Sequence, residues 1–348
     1  MKLLVTGGLG FIGSNFIIQQ IQKFNNSVIN VDKITYAGNK NNLSSIEKHE
    51  NYHFIKGDIC SNHLIENIFN KHKPDCIVNF AAESHVDRSI DSPMDFAQTN
   101  VIGTVNLLIN STKYIKSSKK GKEFKFLHVS TDEVFGSLSE NGFFEENTPY
   151  DPSSPYSASK ASSDHFVRSW NRTFNLPTLI TNCSNNYGPR QFPEKLIPLM
   201  IINCLNEAPL PVYGSGENIR DWLYVNDHCE AIYEVLKKGH IGQTYNIGGD
   251  NEITNLDIVN KICSIMDEEK PLSSGKSYSN LIKFVEDRPG HDFRYAINAS
   301  KIKNELNWYP SENFESGLRK TISWYLNNEE WIKDLERKYK QSRLGLSS

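Results

Sequence analysis

The stretch VTGGLGFIGS, residues 5–14, constrains this chain most. It follows the apolar run KLLVT and leads into the helical pattern SNFIIQQIQKF. Gly8, Gly10 and Gly13 fit G-x-G-x-x-G, and Gly7, Gly10 and Gly13 fit G-x-x-G-x-x-G. Either way the glycines let the backbone approach a pyrophosphate, and the helix N-terminus favours its negative charge. A glycine turn alone is weak evidence; the context strengthens it. Asp32 ends the next β-branched run, SVINVD, where a carboxylate accepts hydrogen bonds from adenosine ribose hydroxyls. The same carboxylate repels a 2′-phosphate, so NAD is expected over NADP, an effect tempered by the neighbouring Lys33.

Further short runs follow: HFIKGD, CIVNFAA and FKFLHVS, separated by helical patterns. Strands alternating with helices imply a parallel sheet covered on both faces and, with right-handed crossovers, a Rossmann-type doubly wound α/β fold. From about residue 180 the chain is less regular and richer in Pro, Asn and Tyr. A Rossmann domain is therefore expected over 1–180, with a smaller mixed α/β substrate domain mainly over 181–348. Segments near 219–250 are expected to return to the first domain. Asp58 ends HFIKGD, where the adenine would lie, and a helix cap is an equal reading. Ala81 and Ala82 end CIVNFAA and suit close packing, of a cofactor or of the protein itself.

Composition narrows the function. The chain has 348 residues, 38% hydrophobic and 23% charged, with a net charge of −3, which gives no sign of a nucleic-acid or membrane-surface binder. No apolar run approaches the length of a membrane span, and no signal-peptide pattern opens the chain, so a cytoplasmic protein is expected. The six cysteines form no C-x-x-C pair, so no metal site is expected.

Two stretches carry chemistry. SPYSASKASSDHF places Tyr156 and Lys160 at i and i+4 on one helix face, where an ammonium favours the phenolate. HVSTDEVFGS, residues 128–137, sets Thr131, Asp132 and Glu133 side by side after an apolar run. Two adjacent carboxylates in a dry site split their pKa values, so one serves as acid and the other as base. Taken alone, the pair reads equally well as a helix cap or a solvated loop.

Together with AAESHVDRSI, NCSNNYGPRQFPEKLIP, GENIRDWLYVNDH, YNIGG and DRPGHDFRYAI, these stretches resemble the nucleotide-sugar 4,6-dehydratases of the extended short-chain dehydrogenase/reductase family. The resemblance runs from Met1 to about Trp331. It implies an NAD-dependent homodimer, built from the helix after Asp95 and the helix carrying Tyr156. It also implies dTDP-glucose as substrate, in a step of dTDP-rhamnose or other deoxysugar synthesis, with UDP-glucose as the alternative. By resemblance Asp132 is the general acid, Glu133 the general base and Tyr156 the base for the C4 hydroxyl. Lys160 tunes Tyr156 and holds the nicotinamide ribose, and Thr131 bonds the C4 oxygen. Gly7, Gly10, Phe11, Ile12, Gly13, Asp32, Lys33, Asp58, Ile59, Ala81 and Ala82 are the remaining cofactor positions. Ser84, His85 and Asp87 line the sugar pocket, and Arg220 and Arg288 clamp the diphosphate. Asn186, Lys195, Leu196, His291 and Tyr295 make further substrate contacts. For any single Arg or His, a surface ion pair is the competing reading. Arg190 and Phe135 depart from the family pattern, and Arg190 lies beside the substrate loop. A 4-epimerase would not need the Asp–Glu pair, and an idle NAD-binding regulator would need none of the acid–base set.

Overall fold

The computed structural model describes residues 1–118, 123–287 and 292–336. In chain order the strands are β1 (Lys2–Thr6), β2 (Ser27–Asp32), β3 (Tyr52–Lys56), β4 (Cys76–Asn79), β5 (Lys125–Thr131), β6 (Thr178–Cys183) and β7 (Asn185–Tyr187). They continue as β8 (Leu210–Tyr213), β9 (Ile219–Tyr224), β10 (Thr244–Ile247), β11 (Glu252–Thr254), β12 (Ile282–Val285) and β13 (Arg294–Tyr295). Seven of them form one parallel sheet in the order β10-β6-β5-β4-β1-β2-β3.

The period of two along each strand explains why this sheet is covered on both sides. Leu4, Ile29, Val31, Ile77, Phe126 and Ile180 enter one core, with Phe69, Leu107 and Val167 from the helices on that face. Their neighbours Leu3, Val5, Val28, Val78, Leu127 and Leu179 enter the other, with Phe16, Ile17 and Ile232. The chain lays down β1, β2 and β3 in one direction and then returns to place β4 on the far side of β1. That reversal opens a crevice beyond the carboxyl ends of β1 and β4, the usual ligand position in an open α/β sheet.

A second core lies beyond those carboxyl ends. It packs the helices Leu196–Leu205, Asn255–Glu269 and Phe314–Leu326 around Tyr187, Trp222 and Tyr224. Its sheets are small: β9 lies between β11 and β13 and also pairs with β7, and β12 pairs with β8. The return to the large sheet, expected near residue 219, begins instead at the helix Val225–Lys238 and ends in β10. Residues 219–224 stay in the small sheet as β9.

Two glycines are required where β1 turns into the helix Phe11–Gln22. Gly7 has φ +70°, and a Cβ there would lie 2.7 Å from the Ala81 backbone. At Gly13 a Cβ would lie 2.5 Å from the Gly7 carbonyl oxygen and 2.9 Å from the Gly8 Cα. Both contacts are with backbone, which cannot swing aside. Gly13→Ala should therefore lower stability by about 1–3 kcal/mol, as overpacking does elsewhere. Chemical denaturation of the ligand-free protein measures it, and an unchanged midpoint would contradict this packing.

Candidate active site

The crevice is a cavity of about 490 Å³ between the large sheet and the second core. Gly7, Gly10, Phe11, Ile12, Gly13, Asp32, Lys33, Asp58, Ile59, Ala81 and Ala82 all border it. Of the two glycine patterns, the one through Gly7 faces the cavity. A Cβ on Gly8 would instead strike Asn30 and Ile17, so that glycine serves helix-on-strand packing. Asp32 Oδ2 accepts the Leu9 N–H at 3.0 Å and Oδ1 accepts the Ile34 N–H at 2.7 Å. Burial raises its pKa, and those two backbone bonds oppose the shift. Each carboxylate oxygen keeps a second lone pair for a ribose hydroxyl. Lys33 lies 3.6 Å from Asp58 and 4.0 Å from Glu83, so its charge is shared with two carboxylates on the cavity rim. Asp58 also accepts the Cys60 N–H at 2.8 Å, which makes it a local turn cap as well as a cavity residue. A glycine cradle, a helix N-terminus and a carboxylate at the end of β2 suit a dinucleotide.

The reacting end lies at the tips of β5 and β6. Thr131 closes β5 and caps the single turn Asp132–Phe135, accepting the Glu133 N–H at 3.3 Å. The Thr131 hydroxyl donates to Asp132 Oδ1 at 3.3 Å. Asp132 is buried, and its Oδ2 has no hydrogen-bond partner among the described residues. Its pKa stands well above the carboxylate range. Burial is the main cause, the Glu133 and Asp221 carboxylates add to it, and Arg220 partly opposes them. Burial and its acidic neighbours therefore favour the protonated form of Asp132, which has one unsatisfied oxygen and stands next to a half-buried Glu133.

The helix Pro155–Phe174 presents Tyr156 and Lys160 to the same cavity. Its start is fixed by a Ser154/Ser157 capping box with Pro155 in the first turn. Lys160 Nζ donates to the Val129 carbonyl at 2.8 Å. Spacing alone suggested that this ammonium lowers the Tyr156 pKa. In the structure the phenol stands well above its ordinary value, because burial and then the Glu133 charge outweigh other influences. Lys160 is itself lowered by burial.

Ser84, His85, Asp87, Asn186, Lys195, Leu196, Arg220 and Tyr295 also border the cavity. Arg288 and His291 lie outside the described residues. Arg220 stacks on Tyr295 at 4.4 Å and donates to the carbonyls of Ile219, Phe293 and Asp292 at 2.7, 3.2 and 2.8 Å. Lys195 donates to the Ser84 carbonyl at 3.4 Å, which ties the two loops across the cavity. Arg190 does not border it. Arg190 donates to the Asn42 carbonyl at 3.0 Å and to Asn15 at 2.9 Å, and it packs 5.5 Å from the Trp324 ring. Phe135 stacks on Phe144 at 5.2 Å. Both departures from the family pattern are packing residues here.

Sequence reading overlooked Glu194. Its buried carboxylate accepts from Tyr36 at 3.2 Å and from Arg88 at 3.4 Å, and His85 lies 4.0 Å away. Pro211, Tyr213 and Asn255 on the far wall were also overlooked. These residues come from separate elements, and no short motif unites them.

The model of the family described as GDP-mannose 4,6 dehydratase matches residues 4–321. The chain belongs to this dehydratase family. Within that family, it is 56% identical to the dTDP-glucose 4,6-dehydratase of Escherichia coli over 99% of both chains. A solved dTDP-glucose 4,6-dehydratase from Bacillus anthracis, in complex with NAD, superposes with a TM-score of 0.86 at 48% identity, covering 96% of this chain and 99% of that one. One from Streptomyces venezuelae, also with NAD bound, gives a TM-score of 0.88 at 41% identity, covering 96% and 100%.

The neutral Asp132 has a consequence for stability. Its folded pKa exceeds its unfolded one, so the native state holds a proton that the unfolded chain releases as pH rises past the ordinary carboxylate range. Stability is therefore complete in acid and is lost with rising pH. Asp132→Asn mimics the protonated form. It should be more stable than wild type at neutral pH, with the difference vanishing toward the ordinary carboxylate pKa. Denaturant midpoints across pH measure this. A variant less stable than wild type at neutral pH would show that Asp132 is ionised.

Proposed function

We infer that this chain catalyses the NAD-dependent conversion of dTDP-glucose to dTDP-4-keto-6-deoxyglucose and water. The observation that carries the reading is Asp132, whose pKa burial and Glu133 raise and whose Oδ2 has no hydrogen-bond partner among the described residues, beside Glu133 on the cavity that also holds Tyr156. A 4-epimerase needs no second acid–base pair. The relatives with near-complete coverage are named for dTDP-glucose, which favours that substrate over UDP-glucose.

Gly7, Gly10, Gly13 and Asp32 would hold the dinucleotide, with Lys160 at its nicotinamide ribose. NAD held there would supply reversible hydride exchange with the sugar. Tyr156 would take the C4 hydroxyl proton in its ionised form, which the Lys160 ammonium favours against burial, and Thr131 would hold the C4 oxygen through its hydroxyl. A C4 ketone makes the C5 hydrogen acidic. Glu133 removes that proton while Asp132 donates its own to the C6 oxygen, which leaves as water. Glu133 would return a proton to C5 as C6 gains hydride, and Asp132 would regain the proton released from the C4 hydroxyl, by way of Tyr156 or water, before the next turnover. Arg220 and Tyr295 border the same cavity as Asp132. Arg220 would bind the diphosphate.

We also propose a homodimer through the segment after Asp95 and the helix that carries Tyr156. Ile102, 50% exposed, lies on that segment, Met94, 77% exposed, just precedes Asp95, and Phe166 is exposed on the Tyr156 helix. Six free thiols suit a reducing compartment, and we assign the reaction to the cytoplasm. Among the described residues no helix is long and apolar enough to cross a membrane.

The test separates the two carboxyl groups. Glu133→Gln should abolish incorporation of solvent deuterium at C5 of the recovered sugar. Asp132→Asn should slow release of the keto sugar by about 10²–10⁴-fold, the usual cost of one lost acid. Tyr156→Phe should suppress both. Deuterium uptake by Glu133→Gln at the wild-type rate would remove Glu133 from the role of base.

A further inference from the structure

Behind Lys160 lies a buried charged pair that the reaction as described does not use. Asp164 sits one turn after Lys160 on the same helix, and neither it nor His128 on β5 reaches solvent. His128 Nε2 lies 3.4 Å from Lys160 Nζ and 3.5 Å from Asp164 Oδ1.

The neighbours fix the protonation of this pair. The Thr6 hydroxyl donates to Asn79 Oδ1 at 2.5 Å, which turns the Asn79 amide nitrogen toward His128 Nδ1 at 3.1 Å. Nδ1 therefore accepts, and the ring hydrogen is on Nε2, facing Asp164. Asp164 Oδ2 accepts from Ser130 at 2.9 Å, Tyr150 at 2.8 Å and Asn182 at 3.4 Å. The three donors on Oδ2 and the Lys160 charge favour the carboxylate and oppose the burial that raises its pKa, while Oδ1 has no hydrogen bond and faces the His128 ring at 3.5 Å. Arg168, farther along the helix, reaches this carboxylate only through the Tyr150 hydroxyl at 2.6 Å. Cys183 faces Lys160 from β6, and burial holds it as a neutral thiol.

We propose that Asp164, working across the His128 ring, is a positioning residue that supplies the counter-charge for the Lys160 ammonium in the closed site. An ammonium this deeply buried loses its hydration, and a single carbonyl bond to Val129 does not replace it. The Asp164 charge raises the Lys160 pKa against burial, and the Lys160 charge lowers that of Asp164. The neutral imidazole between them keeps the pair from collapsing into contact, so Nζ stays on Val129 and on the cavity side. Tyr156, Lys160 and Asp164 then form one face of one helix: proton acceptor, cation and anion, spaced by single turns.

The inference rests on the role given above to Lys160, and its test includes a measurement that needs neither substrate nor NAD. In the ligand-free protein carrying isotope-labelled lysine, the Lys160 side-chain resonance, assigned with Lys160→Met, is titrated by NMR. Asp164→Asn should move its midpoint to lower pH by about one unit or more, since an opposite charge within several ångströms shifts a pKa by ~1–3. The alkaline limb of kcat/KM for dTDP-glucose should move down with it. Tyr150→Phe removes a hydrogen bond from Asp164 but leaves the charge, and it should move neither. If Asp164→Asn does not fold, His128→Gln is read instead, and removing the ring between the two charges should move the Lys160 midpoint the other way, to higher pH. An unmoved Lys160 midpoint in Asp164→Asn, or in His128→Gln where that is the variant read, would overturn the proposal. So would an equal shift in Tyr150→Phe. Wild-type protein that does not dehydrate dTDP-glucose would instead refute the functional reading alone and leave the lysine titration standing.

Discussion

The removal of water from ionisable groups at the tips of β5 and β6 governs this molecule. Asp132, Tyr156, Lys160 and Asp164 are all buried within two turns of helix and the end of one strand. Each such group either finds a counter-charge or gives up its own charge. Asp132 gives it up, because Glu133 and Asp221 repel a second anion nearby and Arg220 only partly compensates. Asp164 keeps its charge, because three hydroxyl and amide donors and the His128 ring surround it. Two aspartates in equally dry positions thus end in opposite states, and their neighbours make the difference.

The fold makes this arrangement possible. A parallel sheet directs every strand's carboxyl end to the same edge, so Thr6, Asp32, Asn79, Thr131 and Cys183 end near one crevice although they are far apart in sequence. The second core then closes that crevice from above. Its residues Lys195, Arg220 and Tyr295 reach across to the strand tips, and Lys195 is tied to the Ser84 loop. Closure excludes water, which strengthens every electrostatic effect inside.

Much of this was legible in the residues. The alternation of β1 to β5 with helices follows from apolar runs of strand length, and the glycine turn follows from its context. Tyr156 and Lys160 share a face because helical geometry places i and i+4 together. Local pattern failed where contacts join distant segments. Tyr36, Arg88 and Glu194 meet from three separate elements, and nothing near any one of them announces the other two. β9 reads as well for either sheet, since a short buried strand shows no sign of its partners. The phenol of Tyr156 is the clearest case. Spacing identified the cation beside it, but the direction of its shift depends on burial and on Glu133, which come from the tertiary structure.

The state of Asp132 also explains why the neighbouring Thr131 matters beyond its hydroxyl's own chemistry. A one-turn helix carries little intrinsic stability, and this one is held by the Thr131 oxygen accepting the Glu133 N–H and by Gly136, at φ +91°, turning the chain against Asp151. The Asp132 acid gets one weak bond from the same threonine, and its second oxygen has no described partner. Burying such an atom costs about 1–3 kcal/mol. A packed apolar residue at this position would avoid that cost. The acid is retained on a turn fixed from both ends, so it faces the cavity without rotating to satisfy itself elsewhere. Local rigidity and an unsatisfied oxygen are two parts of one arrangement, and under the proposed function the sugar's C6 oxygen would be the missing acceptor.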